Sequence, residues 1–253
     1  MTRSSSPTST VSPGRAVVFD LDDTLYAERD FVLSGFRAVS AWAAAELGTD
    51  LEETYAELSR LFEQGVRGDT FDRWLGARGF EARAHLPAMV RAYREHLPHL
   101  RPAAGATALL ERLRRRLRTG LVTDGPADVQ RRKLEALGLR RHFDAVVFTG
   151  DLGREFWKPH PRGYRQVLAL LHVDPPAAAV YVGDNCAKDF LGARRAGLRT
   201  LRVRSADGEY RQRDPPTPRH APELTVDRLE DVEEALATLW ATAAKGCGGV
   251  GLG

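Results

Sequence analysis

The chain has 253 residues and a net charge of +3, with 37 Lys or Arg against 34 Asp or Glu. Hydrophobic residues at 43% and charged residues at 28% exclude a fibrous or largely disordered chain, and no apolar run approaches the length of a membrane span. Its two cysteines, Cys186 and Cys247, form neither a disulfide framework nor a zinc-spaced cluster, which fits a reducing, cytoplasmic setting.

Residues 1–14 are rich in Ser, Thr and Pro, lack the apolar core of a signal peptide and read as a disordered tail. Ala16 to Asp20 (AVVFD) is then a short apolar strand ending in carboxylates. From about Asp30 to His99 the pattern is helical only, with stripes such as Phe36, Val39, Trp42 and Leu47, then Leu51, Tyr55, Leu58 and Leu61. A helix with Ala106, Leu109, Leu110, Leu113 and Leu117 on its apolar face follows. The arginines interleaved with it, Arg112, Arg114, Arg115, Arg116 and Arg118, read as its solvated face and not as a nucleic-acid footprint, because no aromatic platform accompanies them.

Strand-type runs recur at Gly120 to Thr123, Ala145 to Phe148, Ala178 to Val182 and Leu198 to Val203. Helices fall between them, one carrying Val129, Leu134 and Leu137, another Val167, Leu168 and Leu171. Apolar strands alternating with helices predict a parallel sheet covered on both faces. Arg204 to Pro222 is a polar, Pro-rich loop. Leu224 to Val226 reads as an edge strand, and Asp227 with Glu230 as a capping box opening a last helix through Leu239. The predicted organisation is an α/β core of 15–29 and 100–245, an all-helical insertion of 30–99, and disordered tails of 1–14 and 246–253.

Ligands of an open parallel sheet sit at the carboxyl ends of its strands. The residues there are Asp20, Thr123, Thr149 and Asp184, with Asp22, Asp23 and Thr24 just after the first strand and Asp189 one helical turn after the fourth. Singly, each has a structural explanation as a cap or turn. Together, several carboxylates at one pole would repel one another unless a cation joined them, and an all-oxygen set suits Mg²⁺, which also serves a phosphate substrate. Of only four lysines, Lys133, Lys158, Lys188 and Lys245, Lys158 precedes a helix and Lys188 lies within the last acidic segment.

These segments resemble the haloacid dehalogenase superfamily of phosphotransferases. Its four motifs occur in order: Asp20-x-Asp22-x-Thr24, Thr123, Lys158, and Gly183-Asp184 with Asp189. The resemblance implies a Rossmann-like parallel-sheet core with a mobile helical cap after the first motif. Asp20 would be the nucleophile, and Asp22 the acid that protonates the leaving oxygen and then activates water. The Asp20 carboxylate, the Asp22 main-chain carbonyl and the Asp184 carboxylate would hold Mg²⁺, with Asp189 behind them. Thr123, the backbone N–H groups after it at Asp124, and Lys158 would bind the phosphoryl oxygens. Asp22 argues for phosphoryl transfer over dehalogenation, which needs no leaving-group acid. Asp124 stands where many relatives carry a neutral residue, which leaves its side chain without a role.

Tyr26, Arg29 and Phe31 fall where the family has a flap leading to the cap and are candidates for substrate contact, although Phe31 could belong to the cap core. Lys188 could pair with a carboxylate or reach the rim of the site. Cys186 reads as a packing residue, and His160 receives no role. The expectation is a cytoplasmic, Mg²⁺-dependent phosphatase of a small phosphorylated metabolite, a sugar or polyol phosphate by preference, with no nucleic-acid or membrane partner. A nucleoside monophosphate phosphatase, a phosphomutase, a phospho-accepting signalling module and a non-catalytic binding protein are the alternatives.

Overall fold

The computed structural model describes residues 14–206 and 208–246, so Cys247 and nearly all of the two tails read as disordered lie outside the described residues. The chain divides into two compact units, one of residues up to 27 with those from 101 onward, the other Glu28–Leu100.

The first unit is built on six parallel strands: β1 (Ala16–Phe19), β2 (Arg118–Thr123), β3 (Ala145–Phe148), β4 (Ala179–Gly183), β5 (Arg199–Val203) and β6 (Leu224–Val226). Their order is β3-β2-β1-β4-β5-β6. Every residue of β1 is buried, which is why its sequence is a continuous AVVF run and not an alternating one. Ala16 and Val18 pack with Tyr164, Val167, Tyr181 and Phe190 on one face of the sheet. The chain order reverses between β1 and β4, and that switch point opens a crevice at the carboxyl ends of these two strands. Asp20 and Asp184 immediately follow them.

The second unit holds α1 (Glu28–Leu47), α2 (Leu51–Glu63), α3 (Thr70–Ala77) and α4 (Ala82–Glu95). Phe36, Val39 and Ala43 of α1, Leu58 and Phe62 of α2, Trp74 and Leu75 of α3, and Met89 of α4 form its own core. Asp50 caps α2 by accepting the Glu53 N–H at 2.8 Å.

The core unit continues with α5 (Ala106–Arg114), α6 (Ala127–Ala136), α7 (Arg162–Leu170), α8 (Asp189–Arg195) and α9 (Val232–Gly246). Two local expectations are corrected. The arginine run is not one helix face: α5 stops at Arg114, Arg115 to Leu117 turn, and Arg118 opens β2. The Asp227–Glu230 capping box does not form either. The Asp227 carboxylate accepts from Arg204 at 3.0 Å, a 3₁₀ turn occupies Leu229–Asp231, and α9 begins only at Val232. No helix among the described residues is long and apolar enough to cross a membrane.

Candidate active site

Lys158 is buried and places all three of its donors: on Asp20 Oδ1 at 2.7 Å, on the Tyr181 hydroxyl at 2.7 Å and on Asp189 Oδ1 at 3.0 Å. The backbone before it is fixed by Asp124. That carboxylate accepts the Lys158 N–H at 3.1 Å and the Thr149 hydroxyl at 2.7 Å, so its side chain braces the lysine loop and is spent on the scaffold. This is the missing role of Asp124, and it removes the problem of a free carboxylate beside an anion.

Asp20, Asp184 and Asp189 each bring a carboxylate oxygen within 4.8 Å of the others. Asp189 is already satisfied, since its Oδ2 accepts the Asn185 N–H at 2.8 Å while Oδ1 takes Lys158. Gly183 has to be glycine for this, because a Cβ there would lie 2.6 Å from Asp189 Oδ2. Asp184 Oδ2, by contrast, is buried with no hydrogen-bond partner among the described residues, and so are the hydroxyls of Thr24 and Thr123. Buried polar atoms are rarely left unpaired, so three orphans from three of the four motifs mark a place built for a ligand.

Electrostatics agree. Burial, with Asp189 close by, pushes the Asp20 carboxyl up to about 7 even though Lys158 pulls the other way. Asp184 is raised well above the ordinary carboxylate range by burial and by Asp189 and Asp20. Burial opposes the charge on Lys158, but Asp189 and Asp20 override it and hold the ammonium firmly protonated. Carboxylates forced upward by desolvation and one another are what a divalent cation relieves. A hard, all-oxygen set with an unpaired Asp184 oxygen fits Mg²⁺.

Asp22 faces a different environment. It accepts Lys133 Nζ at 2.7 Å, Gln130 Nε2 at 3.0 Å and the Tyr26 hydroxyl. Burial alone would raise it, yet Lys133 and Tyr26 outweigh that and hold the Asp22 carboxyl below its ordinary value. Gly125, at φ +124°, turns the backbone so that α6 can bring Gln130 and Lys133 inward; a Cβ there would meet Gln130 Nε2 at 2.8 Å. The Asp22 carboxylate, held by Lys133, Gln130 and Tyr26, is not one of the Asp20, Asp184 and Asp189 cluster, and a metal contact by Asp22 would rest on its carbonyl alone.

Sequence reasoning missed Gln130 and Lys133. The sequence offered only a faint cue, one of four lysines placed three residues after a glutamine; the structure puts both on the buried face of α6. Tyr26, expected at the flap, is 1% exposed and its hydroxyl donates to Asp22. Arg29 belongs to the helical unit, where it pairs with Glu63 at 2.7 Å, and Phe31 is buried there with its ring edge-on to Tyr93. Lys188 is half-buried and makes no hydrogen bond through its ammonium among the described residues. Burial opposes its charge, while Asp20 and Asp189 raise its pKa. Cys186 packs in the core, and His160 accepts the Arg162 N–H at 3.2 Å and lies edge-on to the Phe156 ring.

Residues 15–197 match the model of the haloacid dehalogenase-like hydrolase family. Over 233 residues the chain is 34% identical to a glyceraldehyde 3-phosphate phosphatase of Methanopyrus kandleri, covering 89% of this chain and 98% of that protein. Over 198 residues it is 35% identical to a phosphoserine phosphatase of Thermus thermophilus, covering 78% and 68% respectively. Among solved structures it is similar to the HAD-hydrolase YfnB of Bacillus subtilis, solved bound to magnesium, with a TM-score of 0.65 at 24% identity over 88% of this chain and 98% of that one.

Proposed function

Because the chain belongs to the haloacid dehalogenase-like hydrolase family, we propose that it is a phosphatase of a small phosphorylated metabolite, a sugar or polyol phosphate by preference, working through an aspartyl-phosphate on Asp20. One observation carries this: Asp20, held by the buried Lys158, meets Asp184 and Asp189 beyond the end of β1, while Asp184 Oδ2 and the Thr123 and Thr24 hydroxyls are buried without a hydrogen-bond partner among the described residues, a set of groups suited to holding a phosphoryl group and a metal ion. The relatives named for glyceraldehyde 3-phosphate and phosphoserine support a short phosphate monoester as substrate.

A carboxylate oxygen of Asp20 attacks phosphorus as the ester oxygen departs, and Asp22 gives that oxygen its proton. Water then attacks the aspartyl-phosphate while Asp22 takes the proton back, which releases phosphate and restores Asp20. Lys158 and the unpaired Thr123 and Thr24 hydroxyls receive the phosphoryl oxygens. Asp20 and Asp184 would hold Mg²⁺, with the Asp22 carbonyl, and Asp189 would orient Lys158 and the loop at Asn185. Bound there, Mg²⁺ would neutralise the carboxylates and the phosphate charge. Asp22 is ionised in its grip on Lys133 and must leave that grip protonated to act as acid; the anionic phosphate arriving beside it raises its proton affinity. To the helical unit, inserted between β1 and β2, we assign the part of a cap.

Phosphate release across triose, sugar and polyol phosphates, phosphoserine and nucleoside monophosphates, with and without Mg²⁺, tests the reading. Short phosphate esters should be turned over, and Asp20→Asn should lose on the order of 10⁴-fold or more. Preference for nucleotides would replace the substrate class, and transfer to a sugar hydroxyl in place of water would make the enzyme a mutase. Undiminished turnover by Asp20→Asn would overturn the mechanism.

A further inference from the structure

At the opposite end of the sheet, where β2 and β3 begin, the core unit carries a second concavity of about 850 Å³. It is lined by Arg114, Arg115, Arg118 and Arg141, with Leu117 and Leu170 as apolar walls. The arginine run reaches it because the chain turns after α5: Arg114 ends the helix, Arg115 lies in the turn and Arg118 opens the strand.

Two of the four guanidinium groups have internal work. Arg118 donates to the Leu171 carbonyl at 2.6 Å, and Arg114 stands 3.9 Å from Asp144, whose other oxygen accepts the Thr119 N–H. Arg115 and Arg141 are exposed and have no ion pair or hydrogen bond through their side chains among the described residues. Against four positive charges the lining offers only Glu111 and Asp144.

His142 closes the floor of the cavity and is only 3% exposed. Leu170 is 52% exposed on the same wall, one of two large apolar side chains among the described residues that face solvent. Planar guanidinium groups favour bidentate oxyanions, and an apolar lip suits the organic portion of the same molecule. The volume is that of a small-molecule site.

We propose that this cavity binds a nucleotide-sized organic polyphosphate, its phosphates among Arg115, Arg141 and Arg114 and its organic part against Leu117 and Leu170. The site is separate from the carboxylate pole, lies at the other end of the strands and does not depend on the phosphatase reading. Net positive lining makes binding weaken as ionic strength rises.

Calorimetric titration of ADP and of inorganic phosphate into the full-length Asp20→Asn protein with Mg²⁺ tests it, beside the same protein carrying Arg115→Glu and Arg141→Glu. ADP should bind the first, with inorganic phosphate far weaker, and the double reversal should weaken ADP at least about tenfold. The His142 imidazole resonances should shift on addition of ADP. The double reversal in the otherwise unaltered chain should keep its phosphatase turnover, which shows that it folds. No ADP binding up to millimolar concentration, or equal affinity in the reversed protein, overturns the proposal. Inorganic phosphate binding as tightly as ADP overturns its organic part.

Discussion

Two walls of one crevice each set a buried lysine 2.7 Å from a carboxylate, Lys158 on Asp20 and Lys133 on Asp22, yet the carboxylates are driven in opposite directions. The difference lies in the company. Lys158 is shared with Asp189, and Asp184 stands near, so one cation serves a group of acids that desolvation already pushes up. Lys133 serves Asp22 together with two neutral donors, Gln130 and Tyr26, so acceptance exceeds the cost of burial. An ion-pair distance alone does not set a proton affinity; the count of competing charges does. The first wall leaves an Asp184 oxygen without a hydrogen-bond partner among the described residues, whereas Asp22 on the second accepts from three donors.

The sharpest break in this contrast is Lys158→Met. It leaves Asp20 and Asp189 buried without their cation, and breaking a buried pair from one side costs about 3–5 kcal/mol. Urea denaturation should show a loss of that order and phosphate release a loss of roughly 10²–10³-fold. Full activity in this variant would mean that Lys158 only balances charge.

Chelation tests the first wall from the other side. Without metal, a carboxyl raised to about 7 in the folded chain keeps a proton that the unfolded chain has lost above its ordinary value near 3.8. Stability from that group is therefore present at low pH and is lost as pH rises through 7. In EDTA, the melting temperature should fall between pH 5 and pH 8, and Mg²⁺ should raise it more at pH 8, because binding then displaces fewer protons. Equal stabilisation by Mg²⁺ at both pH values would contradict a cation on these carboxylates.

For the second wall the expected effects are smaller. Lys133→Met removes the main force holding Asp22 down, so Asp22 takes up its proton at higher pH. The alkaline limb of the kcat/KM profile, where the leaving-group acid loses its proton, should shift upward, while kcat falls because Asp22 is the poorer base in the water step. A vertical loss with no change in the limb would assign Lys133 to the substrate.

The same contrast explains what was legible in the sequence. Asp20, Thr123 and Asp184 end strands, and a continuously buried parallel strand announces itself as an apolar run, so its carboxyl end can be counted off. The helical content of 28–100 was readable because its apolar stripes repeat at helical spacing. Lys133 and Gln130 were not, because they reach Asp22 across more than a hundred residues and nothing local distinguishes a lysine that points inward from one that faces water. Asp124 failed for a related reason: its partner is the backbone N–H of Lys158, a group that every residue carries. The capping box failed because Asp227 found Arg204, a pairing set by the packing of β5 and β6.

Tyr26→Phe gives the finest test, because it separates two readings of one residue. As a flap residue it would touch substrate, and losing its hydroxyl would raise KM. Held at 1% exposure with its hydroxyl on Asp22, it acts through that carboxylate. The ring keeps its packing in the variant, and Asp22 keeps Lys133 and Gln130, so stability should fall by about 1.5–3 kcal/mol, the worth of one hydrogen bond to a charged group. KM should stay within about twofold and kcat fall less than tenfold, while the alkaline limb moves upward by less than in Lys133→Met, since a neutral donor contributes less than a full charge. A rise in KM with an unmoved pH profile would return Tyr26 to the mouth of the site.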